Sequence, residues 1–135
     1  MKLYTSVLIN PFLNTCIDYN FKYEDFKSFY KPLDCSTFTI VRIGEKTDLF
    51  IDDEGLDNKG ESQRYFGYRM PNGTANIYAG YGLILGNDEY GETLSAPVTA
   101  EEVRSNIIFH PTGEFASEEG AYHLKSEGFH LHVVE

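Results

Sequence analysis

The sequence predicts an α+β protein with a mainly antiparallel sheet of short strands and two short helices. Short β-branched or aromatic runs alternate with turn residues along most of the chain. Two segments, at about 23–33 and 99–106, carry helical signals. A length of 135 residues fits a single domain, 1–135, that buries a core of its own.

The N-terminal part predicts a strand followed by the first helix. Residues 2–10 alternate loosely and stop at Asn10-Pro11, which indicates a strand. Residues 11–20 fit either a loop or a second strand at about 15–19. The apolar side chains between Phe26 and Leu33 follow the i, i+3, i+4, i+7 spacing of one helical face, and Pro32 is expected to end this helix.

The middle of the chain predicts a hairpin and then a long buried strand. Residues 37–43 (TFTIVRI) and 48–52 (DLFID) are two strand-like runs separated by a short turn. Residues 63–70 fit a strand or a short helix. Residues 75–85 predict one buried strand with a bend or bulge at Gly80 and Gly82.

The C-terminal part predicts the second helix and a final hairpin. Thr99 with Glu102 three residues later is the pattern of a capping box, which indicates that a short helix starts there. A strand at 106–110 and a polar loop at 113–120 are expected next. Residues 122–125 and 129–134 then form the predicted hairpin.

The charge of the chain is negative and uneven. The net charge is −10, and residues 43–135 contain 17 acidic and six basic side chains. Such a surface repels phosphate backbones, so direct nucleic-acid binding is not expected. It attracts basic protein surfaces, as a DNA mimic does. Plain solubility accounts for the same charge.

The predicted partner-binding surface combines acidic turns with tyrosines. Tyrosine is common at interfaces because its apolar ring has a polar tip, and it packs well against Arg and Lys. The alternative is a Tyr-rich core. The candidate residues are Asp52, Asp53, Glu54, Asp57, Asp88, Glu89, Glu92, Tyr65, Tyr68, Tyr81 and Tyr90.

Several common sites are excluded by spacing. The acidic loops lack the register of a calcium-binding loop, and Gly44 to Thr47 lacks the upstream glycines of a P-loop. Cys16 and Cys35 form no CxxC pair, so packed thiols are expected. No apolar run is long enough to span a membrane, and residues 1–10 lack the pattern of a signal peptide.

Residues 26–103 resemble a small bacterial domain family of unknown function that is found in phages, plasmids and conjugative elements. The resemblance rests on residues 38–43 (FTIVRI), 49–55 (LFIDDEG), 79–92 (AGYGLILGNDEYGE) and 99–102 (TAEE). Cys35-Ser36 stands where the family usually has Gly-Gly, and its Asn- and Pro-containing segment is not recognisable here. The resemblance implies a mobile-element or phage protein acting in the bacterial cytoplasm, and it carries over no catalytic residues.

Three functions of different classes follow from these observations. We favour a non-enzymatic accessory protein that binds and inhibits a host protein with a basic surface, such as a nucleic-acid-binding defence factor of the CRISPR kind. No cofactor is expected, and homodimerisation is expected if an edge strand or the tyrosines are exposed.

The two alternatives need other side chains. A binder of a nucleotide signal would use a Tyr-lined pocket and arginines, of which the chain has Arg42, Arg64, Arg69 and Arg104. A metal-dependent enzyme would use His123, His130 and His132, because histidines at i and i+2 of a strand share a face. An exposed polar face explains the same histidines.

Overall fold

Strands make up most of the computed structural model, which describes residues 2–54, 63–70, 73–109, 114–118, 121–126 and 129–130, the last three segments by their backbone alone. In chain order the strands are β1 (Lys2–Asn10), β2 (Thr15–Tyr23), β3 (Phe38–Gly44), β4 (Thr47–Asp52), β5 (Tyr65–Arg69), β6 (Ala75–Ala79), β7 (Gly82–Asn87), β8 (Thr93–Leu94), β9 (Ile107–Phe109), β10 (Glu114–Glu118), β11 (Ala121–Ser126) and β12 (Phe129–His130).

These strands form two sheets, and every strand pair within each sheet is antiparallel. The first sheet has the order β2-β1-β7-β4-β3, with β8 also paired to β7. The second has the order β10-β11-β6-β5-β9, with β12 paired to β11. The predicted mainly antiparallel α+β class is therefore confirmed at this level.

Two hydrophobic clusters lie on the two faces of the first sheet. One cluster lies between the sheets and includes Ile9, Leu49 and Ile84 of the first sheet with Phe66 of the second. The other covers the opposite face of the first sheet. Since β7 is the central strand with apolar material on both faces, all six of its residues are buried.

The first predicted helix starts later than expected. Tyr23 is the last residue of β2 and pairs with Lys2 of β1, so strand pairing overrides the helical spacing there. Asp25 instead caps a 3-10 helix (Phe26–Phe29), its carboxylate accepting from the Lys27 N–H at 2.9 Å. A single α-helical turn, α1 (Tyr30–Leu33), follows.

The second helix, α2 (Ala100–Arg104), begins where the capping box predicts. Thr99 Oγ1 accepts from the Glu102 N–H at 3.2 Å, and Glu102 Oε1 accepts from the Thr99 N–H at 3.0 Å. No helix among the described residues is long and apolar enough to cross a membrane.

The prediction of one bent strand over 75–85 is wrong. The segment forms β6 in the second sheet and β7 in the first, and the chain crosses between the sheets at Gly80, whose φ is +81°. Glycine adopts this left-handed backbone without the steric cost of a Cβ.

The shorter predictions have mixed outcomes. The segment 11–20 contains the start of β2, after a turn in which Asn10 Oδ1 accepts from the Phe12 and Leu13 N–H groups. Residues 65–69 form a strand, and the expected polar loop at 113–120 is wrong because it contains β10. The final hairpin is present as β11–β12, while its residues 131–134 lie outside the described part of the chain.

Candidate functional site

The acidic candidates that the structure describes lie on two turns at opposite ends of the first sheet. Strands β4 and β7 are antiparallel, so Ile51 pairs with Gly82 and Thr47 with Gly86. Residues 52–54, which we call the Asp52 turn, therefore lie beyond one end of β7. Residues 88–92, the Tyr90 turn, extend from its other end, roughly 20 Å away at the usual rise per strand residue.

The Tyr90 turn connects β7 to β8 and is held by its own backbone. The Asp88 N–H donates to Glu92 O at 2.9 Å, and the Gly91 N–H donates to Asp88 O at 3.0 Å. Gly91 has a φ of +81°, which fits a three-residue hairpin loop. Asp88 Oδ1 accepts from the Tyr90 and Glu92 N–H groups at 2.8 and 2.9 Å. The Asp88 carboxylate thus orients the turn rather than projecting from it.

This arrangement presents an aromatic ring between carboxylates. Tyr90 is 83% exposed, the highest value among the exposed large apolar side chains that the structure describes. Glu89 and Glu92 are also exposed. A preformed loop loses little conformational entropy when its side chains meet a partner.

The Asp52 turn offers carboxylates with a different local structure. Asp52 Oδ1 accepts from the Glu54 N–H at 2.9 Å, and Thr37 Oγ1 donates to Glu54 Oε1 at 3.3 Å. Asp53 and Glu54 are exposed, whereas Asp52 is half-buried. The fourth acidic candidate in this region, Asp57, lies outside the described residues.

The four candidate tyrosines occupy different environments. Tyr68 lies in the core between the sheets, and its ring is not offered to a partner. Tyr65 is half-buried. Tyr81 is half-buried against Phe12, with ring centroids 5.1 Å apart, at the end of the sheet that carries the Asp52 turn. Tyr90 alone of the four is exposed.

Tyr68 lies near two other buried titratable side chains, those of Cys16 and Tyr78. Burial raises the pKa of the Tyr68 hydroxyl, and the nearby Cys16 and Tyr78 raise it further. Burial also raises the pKa of Tyr78, against a hydrogen bond from Asn76 that lowers it. Burial raises the pKa of Cys16 to about 11. All three groups are therefore neutral near pH 7, which suits a structural core better than nucleophilic catalysis.

A groove adjoins the Tyr90 turn. Its volume is about 740 Å³, and it lies between the free end of the β1–β2 hairpin and residues 91–93. Tyr4 and Tyr23 contribute aromatic rings, 6.3 Å apart between centroids. Glu24, Glu92 and Lys2 also line it. With two carboxylates and one ammonium group, the groove is better suited to a cation than to a phosphate.

The nucleotide-binding alternative, which needs arginines beside a Tyr-lined pocket, stays a prediction. None of the four arginines lines this groove. Arg42 Nε lies 3.5 Å from Asp48 Oδ1, and Arg104 Nη2 donates to Cys16 O at 2.6 Å.

The histidine site falls mostly outside what can be described. His123 lies on β11 and His130 on β12, opposite Lys125, while His110 and His132 lie outside the described residues. In the part of the chain whose side chains are described, no group of three or more His, Cys, Asp or Glu could hold a metal ion. The predicted metal site over these histidines stays a prediction.

Sequence reasoning missed the residues of the groove. Tyr4 and Tyr23 are separated by most of two strands, and only the register that pairs Tyr4 with Phe21 and Lys2 with Tyr23 brings the two rings together. Alternation along β1 and β2 is the one local signal, and it does not give the register.

Comparison of the chain with family models, curated proteins and solved structures gives no match.

Proposed function

We propose that this chain is a non-enzymatic protein-binding module whose contact surface is the Tyr90 turn together with the adjoining groove. Its partner is a protein with a basic surface. The observation that carries the proposal is an 83% exposed tyrosine held between exposed carboxylates on a hydrogen-bonded loop.

The groove extends the same surface. A lysine or arginine side chain entering it meets the rings of Tyr4 and Tyr23 and the carboxylates of Glu24 and Glu92. Guanidinium and ammonium groups are attracted both to aromatic faces and to carboxylates. Lys2 lies on the groove wall as well, so it competes with such a side chain.

The resemblance over residues 26–103 supplies the biological setting of the proposal. A mobile-element or phage accessory protein acts in the cytoplasm of its bacterial host. A nucleic-acid-binding defence factor is a suitable target because it carries a basic surface that recognises phosphate. An acidic protein that covers this surface inhibits it.

The test measures capture of a host protein and its dependence on the turn. Tagged protein is incubated with lysate of a bacterial host at low salt, and the bound partner is identified, purified and titrated against the tagged chain. We expect stoichiometric binding that weakens steeply with salt, because steering between opposite charges is screened by ions. Competition by the partner's own nucleic acid would indicate that this nucleic acid and the tagged chain bind the same surface of the partner.

The two acidic turns supply matched controls for each other. A Glu89→Lys/Glu92→Lys variant and an Asp53→Lys/Glu54→Lys variant change the charge by the same amount at opposite ends of the sheet. We expect the first, and Tyr90→Ala, to weaken binding at least about tenfold, the size of a modest interface hot spot. Equal effects of the two double variants would indicate net charge alone, and an effect confined to the Asp52 turn would move the site there.

A further inference from the structure

The outer edge of β3 presents regular backbone groups that have no partner strand among the described residues. Within the described residues β3 pairs with β4 only. Thr37 O accepts from the Asp53 N–H in the same register, at 3.2 Å. Backbone groups of alternate residues point in opposite directions in an antiparallel pair, so those of Thr39 and Val41 point to β4. The N–H and C=O groups of Phe38, Ile40 and Arg42 therefore point to the free edge.

An apolar patch lies beside this edge. Ile40 is 52% exposed and Phe26 is 55% exposed. The rings of Phe26 and Tyr30 are 6.1 Å apart, and those of Tyr30 and Phe38 are 6.2 Å apart, so the patch is continuous from the 3-10 helix to β3. A contiguous exposed apolar patch marks an interaction surface more often than scattered apolar residues do.

The segment that forms the patch is less acidic than the rest of the chain, although the paired strand β4 brings Asp48 and Asp52 beside Arg42 and Phe38. Residues 26–42 contain three basic side chains and one acidic one, Asp34, whereas residues 43–135 have 17 acidic and six basic side chains. Two copies that meet at β3 avoid the repulsion between their acidic surfaces.

The opposite outer strand of the first sheet is already engaged. Arg104 Nη2 donates to Cys16 O of β2 at 2.6 Å, and Asp18 of β2 accepts from the Ala100 N–H at 3.0 Å. Helix α2 is thereby fastened to β2, which is one of the ways proteins protect an edge strand.

We infer that the protein forms a two-fold symmetric dimer in which β3 pairs antiparallel with β3 of a second copy. The regular part of β3 runs from Phe38 to Arg42, before its register shifts, and Ile40 is its middle residue. A two-fold axis at Ile40 sets Ile40 beside the second copy's Ile40 and Phe38 beside the second copy's Arg42. All these residues have edge-facing backbone groups, so about six hydrogen bonds form.

The side chains are complementary in the same register. The two Ile40 side chains cover each other, and each Phe38 ring meets a guanidinium group. A two-fold axis perpendicular to the sheet also brings the Phe26 and Tyr30 patches to the same face of the joined sheet. Closed two-fold dimers are the commonest form of homo-oligomer.

Sedimentation equilibrium of the full chain tests the dimer. We expect the mass of two chains, and an Ile40→Lys variant to raise the dimer dissociation constant about 100-fold or more, because like charges would face each other at the axis. Ile17→Lys is the matched control, since Ile17 is 47% exposed on the other outer strand. A monomeric wild-type chain, or equal effects of both variants, overturns the inference.

A cross-linking experiment covers the case in which Ile40→Lys does not fold. Residues of a hydrogen-bonded antiparallel pair have Cα atoms about 5.5 Å apart, which a disulfide spans. Ile40→Cys should therefore give a covalent dimer on mild oxidation, beyond the level given by the native Cys16 and Cys35 in the wild type. Ile17→Cys should not. Absence of the Ile40→Cys product, or equal yields from both variants, rejects the β3 interface.

Discussion

A single methyl group on Gly86 should displace the chain that follows β8, which packs against β7 at residues 95–97. A Cβ built at Gly86 lies 2.6 Å from Ser95 O, 3.2 Å from Pro97 Cδ and 3.4 Å from Lys46 O. The Ser95 carbonyl cannot move away easily, because the N–H of the same peptide group, that of Ala96, donates to Thr5 O at 2.8 Å. Ser95 Oγ also accepts from the Thr5 N–H at 2.9 Å.

The expected cost of Gly86→Ala follows from these contacts. Forcing an extra carbon into a packed site costs about 1–3 kcal/mol. Loss of one hydrogen bond to Thr5 adds about 1 kcal/mol. Replacing a strand glycine by alanine returns about 0.5–1 kcal/mol of backbone entropy. We therefore expect the free energy of unfolding to fall by about 1–3 kcal/mol.

Urea unfolding followed by circular dichroism measures this loss. Gly44→Ala is the control, since a Cβ there lies 3.6 Å from Thr47 Cβ and Thr47 Oγ1, an ordinary contact distance. The control should keep the wild-type stability or exceed it by up to about 1 kcal/mol, because it gains the same backbone entropy without a clash. If Gly86→Ala unfolds at the same urea concentration as Gly44→Ala, the chain over Gly86 is not fixed as described.

Local signals predicted the elements whose causes are local. The Thr99–Glu102 capping box depends on residues three apart, and it marks the start of α2. Strands β3 and β4 are β-branched or aromatic runs joined by a short turn, in which Lys46 has a φ of +57°. In each case the interacting residues lie close together along the chain.

Long-range pairing decided the elements that were predicted wrongly. The spacing of residues 26–33 fits a helical face, but nothing in it indicates that Tyr23 pairs with Lys2. The run 75–85 is apolar except for Asn76 because both β6 and β7 are buried, and periodicity cannot tell one buried strand from two in different sheets. Gly80 is the informative residue, because the chain passes from the second sheet to the first at the glycine where the sequence predicts a bend.

The candidate site depends on register even more strongly. Composition identified the acidic turns, but only the antiparallel pairing of β4 with β7 separates them to opposite ends of the sheet. Likewise Tyr68 and Tyr90 look equivalent in the sequence, whereas one lies in the core and the other at a loop tip. A surface is a property of long-range packing, so the exposed member of such a set cannot be chosen from composition.

Three further perturbations test the core, the cap and the buried thiol. Phe29→Ala should lower stability by about 3–5 kcal/mol in urea, because the ring is 3% exposed and lies 4.2 Å from that of Phe50; Phe26→Ala, at an exposed position, should cost less than about 1 kcal/mol. Thr99→Ala should cost about 1 kcal/mol and Thr99→Ser much less, since serine keeps the capping hydroxyl; equal losses would assign no role to the cap. Burial raises the pKa of Cys16 from 9.0 to about 11, so the folded state retains a proton that the unfolded chain releases. The stabilisation from the protonated thiol is therefore complete below pH 9 and is lost as pH rises through about 11. Wild-type stability should accordingly fall by up to about 3 kcal/mol across this range, and Cys16→Ala, though less stable at neutral pH, should show a shallower decline. Parallel declines in the two proteins would mean that other groups, such as the buried tyrosines, account for the alkaline loss.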